Sequence, residues 1–210
     1  MSDNAAGPAP PDPAIGIVEV DSIAVGIMAG DAMVKASPLG SIYAGTVHPG
    51  SYVIVVSGDT ASVEIALDAG LEAAATALTD SVFLPDVHPE VVGAMVSDTE
   101  LADCDGDALG VVETATIAAV IDAADAGMKA AAVTLPAVRL ADGLGGKGYA
   151  LFSGELADVE AALDAAVARG TRSDATLRHV LIPQLHAEMS DNLARDLRLN
   201  RRLARRPEER

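Results

Sequence analysis

The sequence repeats itself once over most of its length, which limits the chain to folds built from two similar halves. The run "IGIVE" at residues 15–19 returns as "LGVVE" at 109–113, and the lysine of "DAMVK", Lys35, returns as Lys129. The numbers of matched residues differ by 94 in these segments, by 96 at "SGD" and "SGE", and by 98 at "LPDVH" and "IPQLH". Two short insertions explain this drift, and each copy is too long for a solenoid unit. We therefore predict two domains of one fold.

The predicted domain boundaries fall where the repeat stops and the composition changes. The segment between the copies is acidic and polar, as linkers often are. The beginning of the chain is rich in Pro, Ala and Asp, which is typical of disorder. The predicted division is an N-terminal extension at 1–13, a first domain at 14–95, a linker at 96–107, a second domain at 108–190 and an Arg-rich tail at 191–210.

Each copy is predicted to contain elements in the order β-α-β-β-α-β. In the first copy "IGIVEV" is a strand, Ser22 caps a helix, and "SIYAGTV" and "YVIVVSG" are strands around the "HPGS" turn. Asp59 or Thr60 then caps a second helix, and "SVFLPDV" is the last strand. The second copy repeats this order, with its first helix from about Thr116 to Lys129. The fold class is therefore α+β: two tandem ferredoxin-like domains, each an antiparallel sheet with both helices on one face.

Composition excludes several classes of partner. The chain carries a net charge of −17, which repels phosphate backbones and argues against nucleic acid. A single cysteine cannot form a disulfide within the chain, as expected in a reducing compartment. No apolar run is long enough for a membrane span, and the N-terminus lacks the basic and apolar regions of a secretory signal. We expect a cytoplasmic protein without a membrane partner.

Several motifs suggest chemistry but lack the required context. "GLGGKG" at 143–148 leads into a predicted strand, whereas a dinucleotide-binding loop leads into a helix. None of the four histidines lies at metal-ligand spacing with Cys or a carboxylate. Glu19 and Glu113 end the first strand of each copy, and we interpret them as solvated carboxylates because a catalytic pair needs a cleft that separates their pKa values. We predict no catalytic residue and no metal.

Taken together, four motifs resemble a known family. The strand "IGIVE", the helix end "DAMVKA", the "GD" after the third strand and the histidine of "LPDVH" occur in order, and their counterparts follow in the second copy. This combination resembles the shell-protein domain of bacterial microcompartments over residues 14–92 and 108–189. Two such domains in unpermuted order resemble the tandem-domain shell proteins. The resemblance implies a structural protein rather than an enzyme: a homotrimer forming a pseudo-hexameric tile that joins other shell proteins edge to edge, with encapsulated enzymes as further partners.

The resemblance also implies a central pore that passes small polar metabolites. Counted back from "SGD" and "SGE", its lining is His48, Pro49, Gly50 and Ser51 in the first copy, and Leu144, Gly145, Gly146 and Lys147 in the second. Pro and Gly also favour tight turns for backbone reasons alone, and both interpretations can hold together. Rings of His48 and Lys147 would favour anionic or polar metabolites.

The tile edge is implied in the same way. The two repeated lysines match the family's edge lysine, although a lysine in the last turn of a helix also interacts favourably with the helix dipole. The residues assigned to the edge are Lys35, Lys129, His88 and His186. The family usually has an arginine after the proline that follows the last strand, and this chain has Asp86 and Gln184 there. We therefore expect an altered edge geometry.

The remaining expectations concern a cofactor and two alternative functions. Some tandem shell proteins hold an iron–sulfur cluster on the axis with one cysteine per chain, but Cys104 falls in the predicted linker, away from both pore segments. We predict no cofactor. One alternative is a ligand-binding regulator or small enzyme on a duplicated ferredoxin-like fold, with a deep pocket and a monomeric or dimeric state. The other is an adaptor that recruits cargo through its basic tail.

Overall fold

The computed structural model describes residues 14–96, 107–141, 143–170 and 178–193, and the chain divides into two units between Val87 and His88. The first unit contains β1 (Ala14–Val20), α1 (Ile23–Ala36), β2 (Ser41–Val47), β3 (Ser51–Gly58), α2 (Thr60–Ala74), a 3-10 turn (Ala75–Ala77) and β4 (Leu78–Leu84). The second contains α3 (Pro89–Val96), β5 (Ala108–Thr114), α4 (Ile117–Ala130), β6 (Thr134–Leu140), β7 (Gly148–Gly154), α5 (Leu156–Gly170), β8 (Arg178–Ile182) and α6 (Ala187–Leu193). The predicted N-terminal extension, Cys104 and most of the predicted linker and tail lie outside the described residues.

The two sheets have the same topology. Their strand orders are β2-β3-β1-β4 and β6-β7-β5-β8, and every pair of neighbouring strands is antiparallel. The registers also match, because Ile15 pairs with Leu84 in the first sheet and their counterparts Leu109 and Ile182 pair in the second. The predicted α+β fold of two βαββαβ units is confirmed.

Side chains at the N-cap positions explain where three of the helices begin. The Ser22 hydroxyl accepts the N–H of Val25 at 3.4 Å, and Asp59 accepts the N–H of Ser62 at 3.0 Å. Hydrogen bonds from Ser62, first from its side chain and then from its backbone, lower the pKa of Asp59. Thr116 caps α4, which therefore begins one residue later than predicted.

Prolines define the ends of two strands and a bulge in a third. β4 stops before Pro85 and β8 stops before Pro183, because proline has no N–H for the ladder. The predicted strand "SVFLPDV" was therefore placed too late, since β4 begins at Leu78. Pro136 lies within the register shift of β6, where a bulge accommodates it.

Small residues bring the helices close to both sheets. A Cβ added to Gly26 of α1 would lie 2.5 Å from the Tyr52 ring on β3. In the second unit the glycine is on the strand, because a Cβ on Gly148 would overlap with Val120 of α4. The cores are therefore dense without bulky residues, and both sheets pack closely under their helices.

The repeat pattern does not predict the two short helices that follow the last strands. Helix α3 begins at Pro89 and α6 begins at Ala187, at equivalent positions of the two copies. Residues 89–95 were expected at the end of the first domain, whereas α3 packs on β6 and α4 of the second unit.

Candidate pore loops and tile-edge residues

The first predicted pore segment is a tight hairpin turn between β2 and β3. Val47 and Ser51 form the last strand pair, and the N–H of Gly50 donates to the Val47 carbonyl at 2.9 Å. The His48–Pro49 peptide bond is cis, which makes this a type VI turn. Gly50 has a φ of 137°, a conformation that disfavours any other residue. His48, Pro49 and Gly50 are all exposed at the tip.

The second predicted pore segment is a wider loop between β6 and β7. It is closed by the N–H of Ala141 donating to the Lys147 carbonyl at 2.9 Å, and the N–H of Leu144 donates to the Ala141 carbonyl at 2.9 Å. Three glycines have positive φ values of 78°, 67° and 89°: Gly143, Gly145 and Gly146. Such φ values favour glycine, which explains the residue type at these three positions. Among residues 143–147, Leu144 and Lys147 alone carry side chains, so this part of the loop presents mainly backbone.

Lys147 is held by a carboxylate at the base of its hairpin. Its ammonium donates to Glu113 at 2.7 Å, and both side chains are partly exposed, so the pair contributes only about 0.2–1 kcal/mol. The matching positions in the first copy are Ser51 and Glu19. Glu19 is buried, and the expectation that both glutamates are solvated is therefore wrong for Glu19. The two loops thus differ in charge as well as in length.

A row of cross-strand pairs extends this charge difference across the sheets. In the second unit Tyr149 lies opposite Arg139 and Glu113, and Glu113 lies opposite Arg178. Directly opposite residues share a face of the sheet. The matching positions of the first unit are Gly45, Val53, Glu19 and Asp80. The second unit therefore carries basic residues where the first carries acidic or neutral ones.

The environment of Tyr149 perturbs its ionisation. Burial raises the pKa of the Tyr149 hydroxyl above its ordinary value of 10.0, because the charged phenolate is poorly solvated there. The Arg139 guanidinium, which is hydrogen-bonded to Tyr149, opposes this rise of the pKa. The hydroxyl is therefore neutral near pH 7 and serves as a packing and hydrogen-bonding group.

Both predicted edge lysines are paired with an aspartate on their own helix. Lys35 lies 2.5 Å from Asp31, and Lys129 lies 2.7 Å from Asp125, one helical turn earlier in each case. Sequence reasoning missed these partners, although the four-residue spacing in both copies is a readable signal. Asp125 also accepts the backbone N–H of His88 at 2.8 Å. The structure therefore brings together two of the predicted edge residues, Lys129 and His88, through Asp125.

The two repeated histidines have the same local geometry. The ring Nδ1 of His88 accepts the N–H of Glu90 at 3.4 Å, and that of His186 accepts the N–H of Glu188 at 3.3 Å. Each histidine thus stands before a short helix and satisfies one of its free N–H groups.

The described residues offer no metal site and no membrane span. No group of three His, Cys, Asp or Glu that could hold a metal occurs within 14–96, 107–141, 143–170 and 178–193. In the same parts of the chain, no helix has the length and apolarity to cross a bilayer. Neither hairpin contains cysteine in the sequence, so the loops do not fit an iron–sulfur cluster, which requires thiolates.

The two units share one fold, and each carries a hairpin loop at the same end of its sheet. They define a duplicated α+β domain protein. Family comparison identifies the domain: residues 14–87 and 108–185 each match the model of the BMC domain. The chain therefore belongs to the BMC domain family. This family is structural and not enzymatic, in agreement with the predicted absence of catalysis.

Individual relatives agree with this assignment. The bacterial microcompartment shell protein PduT of Citrobacter freundii is 38% identical over 176 residues, which cover 84% of this chain and 95% of PduT. The shell protein EutK of Escherichia coli K12 is 43% identical over 61 residues, which cover 29% of this chain and 37% of EutK.

Solved structures support the same fold. The crystal structure of a microcompartment protein from Desulfitobacterium hafniense DCB superposes with a TM-score of 0.71 at 38% identity, covering 85% of this chain and 98% of that one. The fused permuted hexameric shell protein MSM0275 of the RMM microcompartment has a TM-score of 0.52 at 21% identity, covering 75% of this chain and 83% of the other, and supports the fold alone.

Proposed function

We propose that three copies of this chain form a flat pseudo-hexameric tile of a bacterial microcompartment shell, with a central pore for small polar metabolites. The protein is a structural shell component and resides in that shell, as its tandem BMC domains and its similarity to PduT over most of both chains indicate. The observation that carries the tile is the duplication itself. Two units with equal topology and register can occupy equivalent positions around one axis, so three chains supply six domains.

The pore is formed by the two hairpin loops. The first contributes His48, Pro49, Gly50 and Ser51, and the second contributes Leu144, Gly145, Gly146 and Lys147. The support is that His48, Pro49 and Gly50 are exposed in the first loop, and that Gly145 and Lys147 are exposed in the second, where Leu144 is half-buried and Gly146 is buried. Both loops present mainly backbone, which leaves room for a passage. The pairing of Lys147 with Glu113 reduces its net charge, so the rim is polar rather than strongly cationic.

The tile edge is formed around the ends of α1 and α4 and the start of α3 and α6. Lys35, Lys129, His88 and His186 are its proposed residues. The Lys35 side chain is 71% exposed although its ammonium is paired with Asp31, and this exposure supports contact with a neighbouring tile. The partners of the tile are other shell proteins, with encapsulated enzymes on one face.

Electron microscopy of the purified full-length chain in negative stain tests this proposal. The expected class averages are flat, six-lobed particles with a central stain-filled hole, some of them joined into sheets. Compact particles without a hole at all protein concentrations would contradict the tile and favour a ligand-binding regulator of one or two chains.

A further inference from the structure

The second unit contains a contact that anchors the segment after β4. The N–H of His88 donates to one oxygen of Asp125 at 2.8 Å, and Lys129 donates to the other oxygen at 2.7 Å. The side chain of Asp125 is only 6% exposed, and Val91 of α3 is 0% exposed. A carboxylate that is buried and hydrogen-bonded through both oxygens is a strong and specific anchor.

The segment after β8 has the same local structure but lacks this anchor. His186 occupies the position of His88, its ring accepts the N–H two residues later, and its carbonyl accepts the N–H of Met189 at 2.8 Å, as the His88 carbonyl accepts that of Val91. Met189, the counterpart of Val91, is 50% exposed. No acceptor for the backbone N–H of His186 lies within the part of the chain that the structure describes.

The first unit carries the receiving half of the same contact. Asp31 occupies the position of Asp125, and Lys35 occupies that of Lys129 and binds one oxygen of Asp31. The Asp31 side chain is 56% exposed, and its second oxygen has no hydrogen-bond donor among the described residues. Strand β2 is largely exposed, including Tyr43, whereas most of β6, on which α3 packs, is buried. The acceptor is thus preformed and open.

The outer face of α1 is open where its counterpart on α4 is covered. Ile27 is 57% exposed, whereas its counterpart Ile121 is 0% exposed. The other exposed large apolar residues of α1 are Ile23, Met28 and Val34. Two of their counterparts, Ile117 and Met128, are buried as well. Apolar residues that are exposed on the helix of one copy and covered on the equivalent helix of the other indicate an interface.

We propose that the α6 segment of one copy docks on α1 and β2 of the next copy, with the backbone N–H of His186 donating to Asp31 and Met189 packing beside Tyr43. The occupant is a second copy of this chain, because the α6 segment repeats the geometry of the α3 segment that binds Asp125, and Asp31 repeats the position of Asp125. The inference rests on the proposed tile and specifies its subunit contact. The contact is head-to-tail, and a head-to-tail contact that closes forms a ring. Asp31 is thus the acceptor that positions one copy against the next.

Substitutions on the two sides of this contact test it directly. Met189→Asp places a charge in the proposed contact, and Asp31→Ala removes the acceptor, while Asp31→Asn keeps an oxygen that can accept the N–H. The molecular mass is followed over a dilution series of each full-length variant, with circular dichroism as the check on folding. We expect Met189→Asp and Asp31→Ala to raise the concentration of half-dissociation at least about tenfold, and Asp31→Asn to raise it less.

Two matched helix variants show whether a charge disrupts assembly only at the proposed interface or at any exposed apolar residue. Ile27→Asp changes a residue whose counterpart is buried, and Ile65→Asp changes one that is similarly exposed but whose counterpart, Ala161, is also exposed. Both residues face solvent in a single chain, so both variants should fold. We expect only Ile27→Asp to dissociate the assembly.

The outcomes distinguish this inference from the proposed function. If the unaltered chain forms trimers and the trimers of Met189→Asp, Asp31→Ala and Ile27→Asp are as resistant to dilution as those of Ile65→Asp, the contact is wrong and the tile stands. If the unaltered chain is monomeric at every concentration, the tile and the contact both fail.

Discussion

Gly26 and Gly148 meet the same packing requirement from opposite sides of a helix–sheet contact. In the first unit the glycine is on the helix and the large residue, Tyr52, is on the strand. In the second unit Val120 is on the helix and the glycine is on the strand. Each copy thus combines one large or branched side chain with one glycine at this contact, although the residue type differs at both positions. Cores tolerate such paired changes of side-chain size when the total volume still fits.

Exchanging this pair in the first unit tests the packing. Gly26→Val should lower the free energy of unfolding by about 1–3 kcal/mol, because its side chain would collide with the Tyr52 ring. The double variant Gly26→Val with Tyr52→Gly should lose less than the sum of the two single changes, since it reproduces the arrangement of Val120 and Gly148. Urea unfolding at one fixed protein concentration measures these differences.

Gly93 provides the control for this experiment, because a Cβ added there meets no atom within 4 Å. Gly93→Ala should leave the free energy of unfolding unchanged or raise it by up to about 1 kcal/mol. Strict additivity of the two changes at Gly26 and Tyr52 would show that they do not share a contact.

The raised pKa of Tyr149 predicts a loss of stability in alkali. Burial favours the neutral hydroxyl in the folded state, so the stabilisation is complete below pH 10 and declines as the pH rises through the raised pKa. Tyrosinate absorbance of the wild type minus that of Tyr149→Phe should reveal a component that titrates above pH 10. A component that titrates below pH 10 would mean that Arg139 outweighs the effect of burial.

At the scale of elements, the order of strands and helices could be predicted because each carries a local signal. The caps at Ser22 and Thr116 and the turn at His48–Gly50 are read from a few adjacent residues. Helices α3 and α6 carry no such signal, since helices of seven or eight residues are marginal alone. The packing of α3 on β6 and α4 is long-range, and no local pattern encodes it.

The candidate site was predictable in position but not in its pairings. Counting from the repeated "SGD" and "SGE" located both hairpins, because the loops are fixed by their strands. The partner of Lys147 is Glu113, 34 residues away, and the same position in the first copy holds a buried Glu19. Whether such a carboxylate is buried depends on what packs around it, which a repeat alignment does not contain.

The lysines at the ends of α1 and α4 provide a test of the proposed tile edge. Replacing Lys35 and Lys129 together with Ala should leave the trimer assembled and reduce the area of sheets seen by electron microscopy. Lys129→Ala alone should also lower stability more than Lys35→Ala, because Asp125 is buried and Asp31 is exposed.

Lys147→Ala is the matched control, since Lys147 is the third lysine of the chain and lies in a hairpin rather than at the proposed edge. Sheets of unchanged area from the double variant would remove the edge role and leave both lysines as partners of their aspartates.

At the scale of the whole molecule, duplication allows the two hairpin loops to differ, which six identical domains cannot do. One chain holds a short hairpin beside an acidic row and a longer Gly-rich hairpin beside a basic row. In the proposed tile these alternate around the axis, so a passage made by six loops has only threefold symmetry. Substitutions in one loop can therefore alter the lining of the proposed pore while the other loop stays unchanged.

The mass of the full-length chain in solution, measured by size exclusion with multi-angle light scattering, tests the central claim most directly. One chain has a mass of 21.2 kDa. Three BMC-domain pairs closed around an axis predict a single species of three times that mass, stable on moderate dilution. A species of one chain at every concentration would contradict the account.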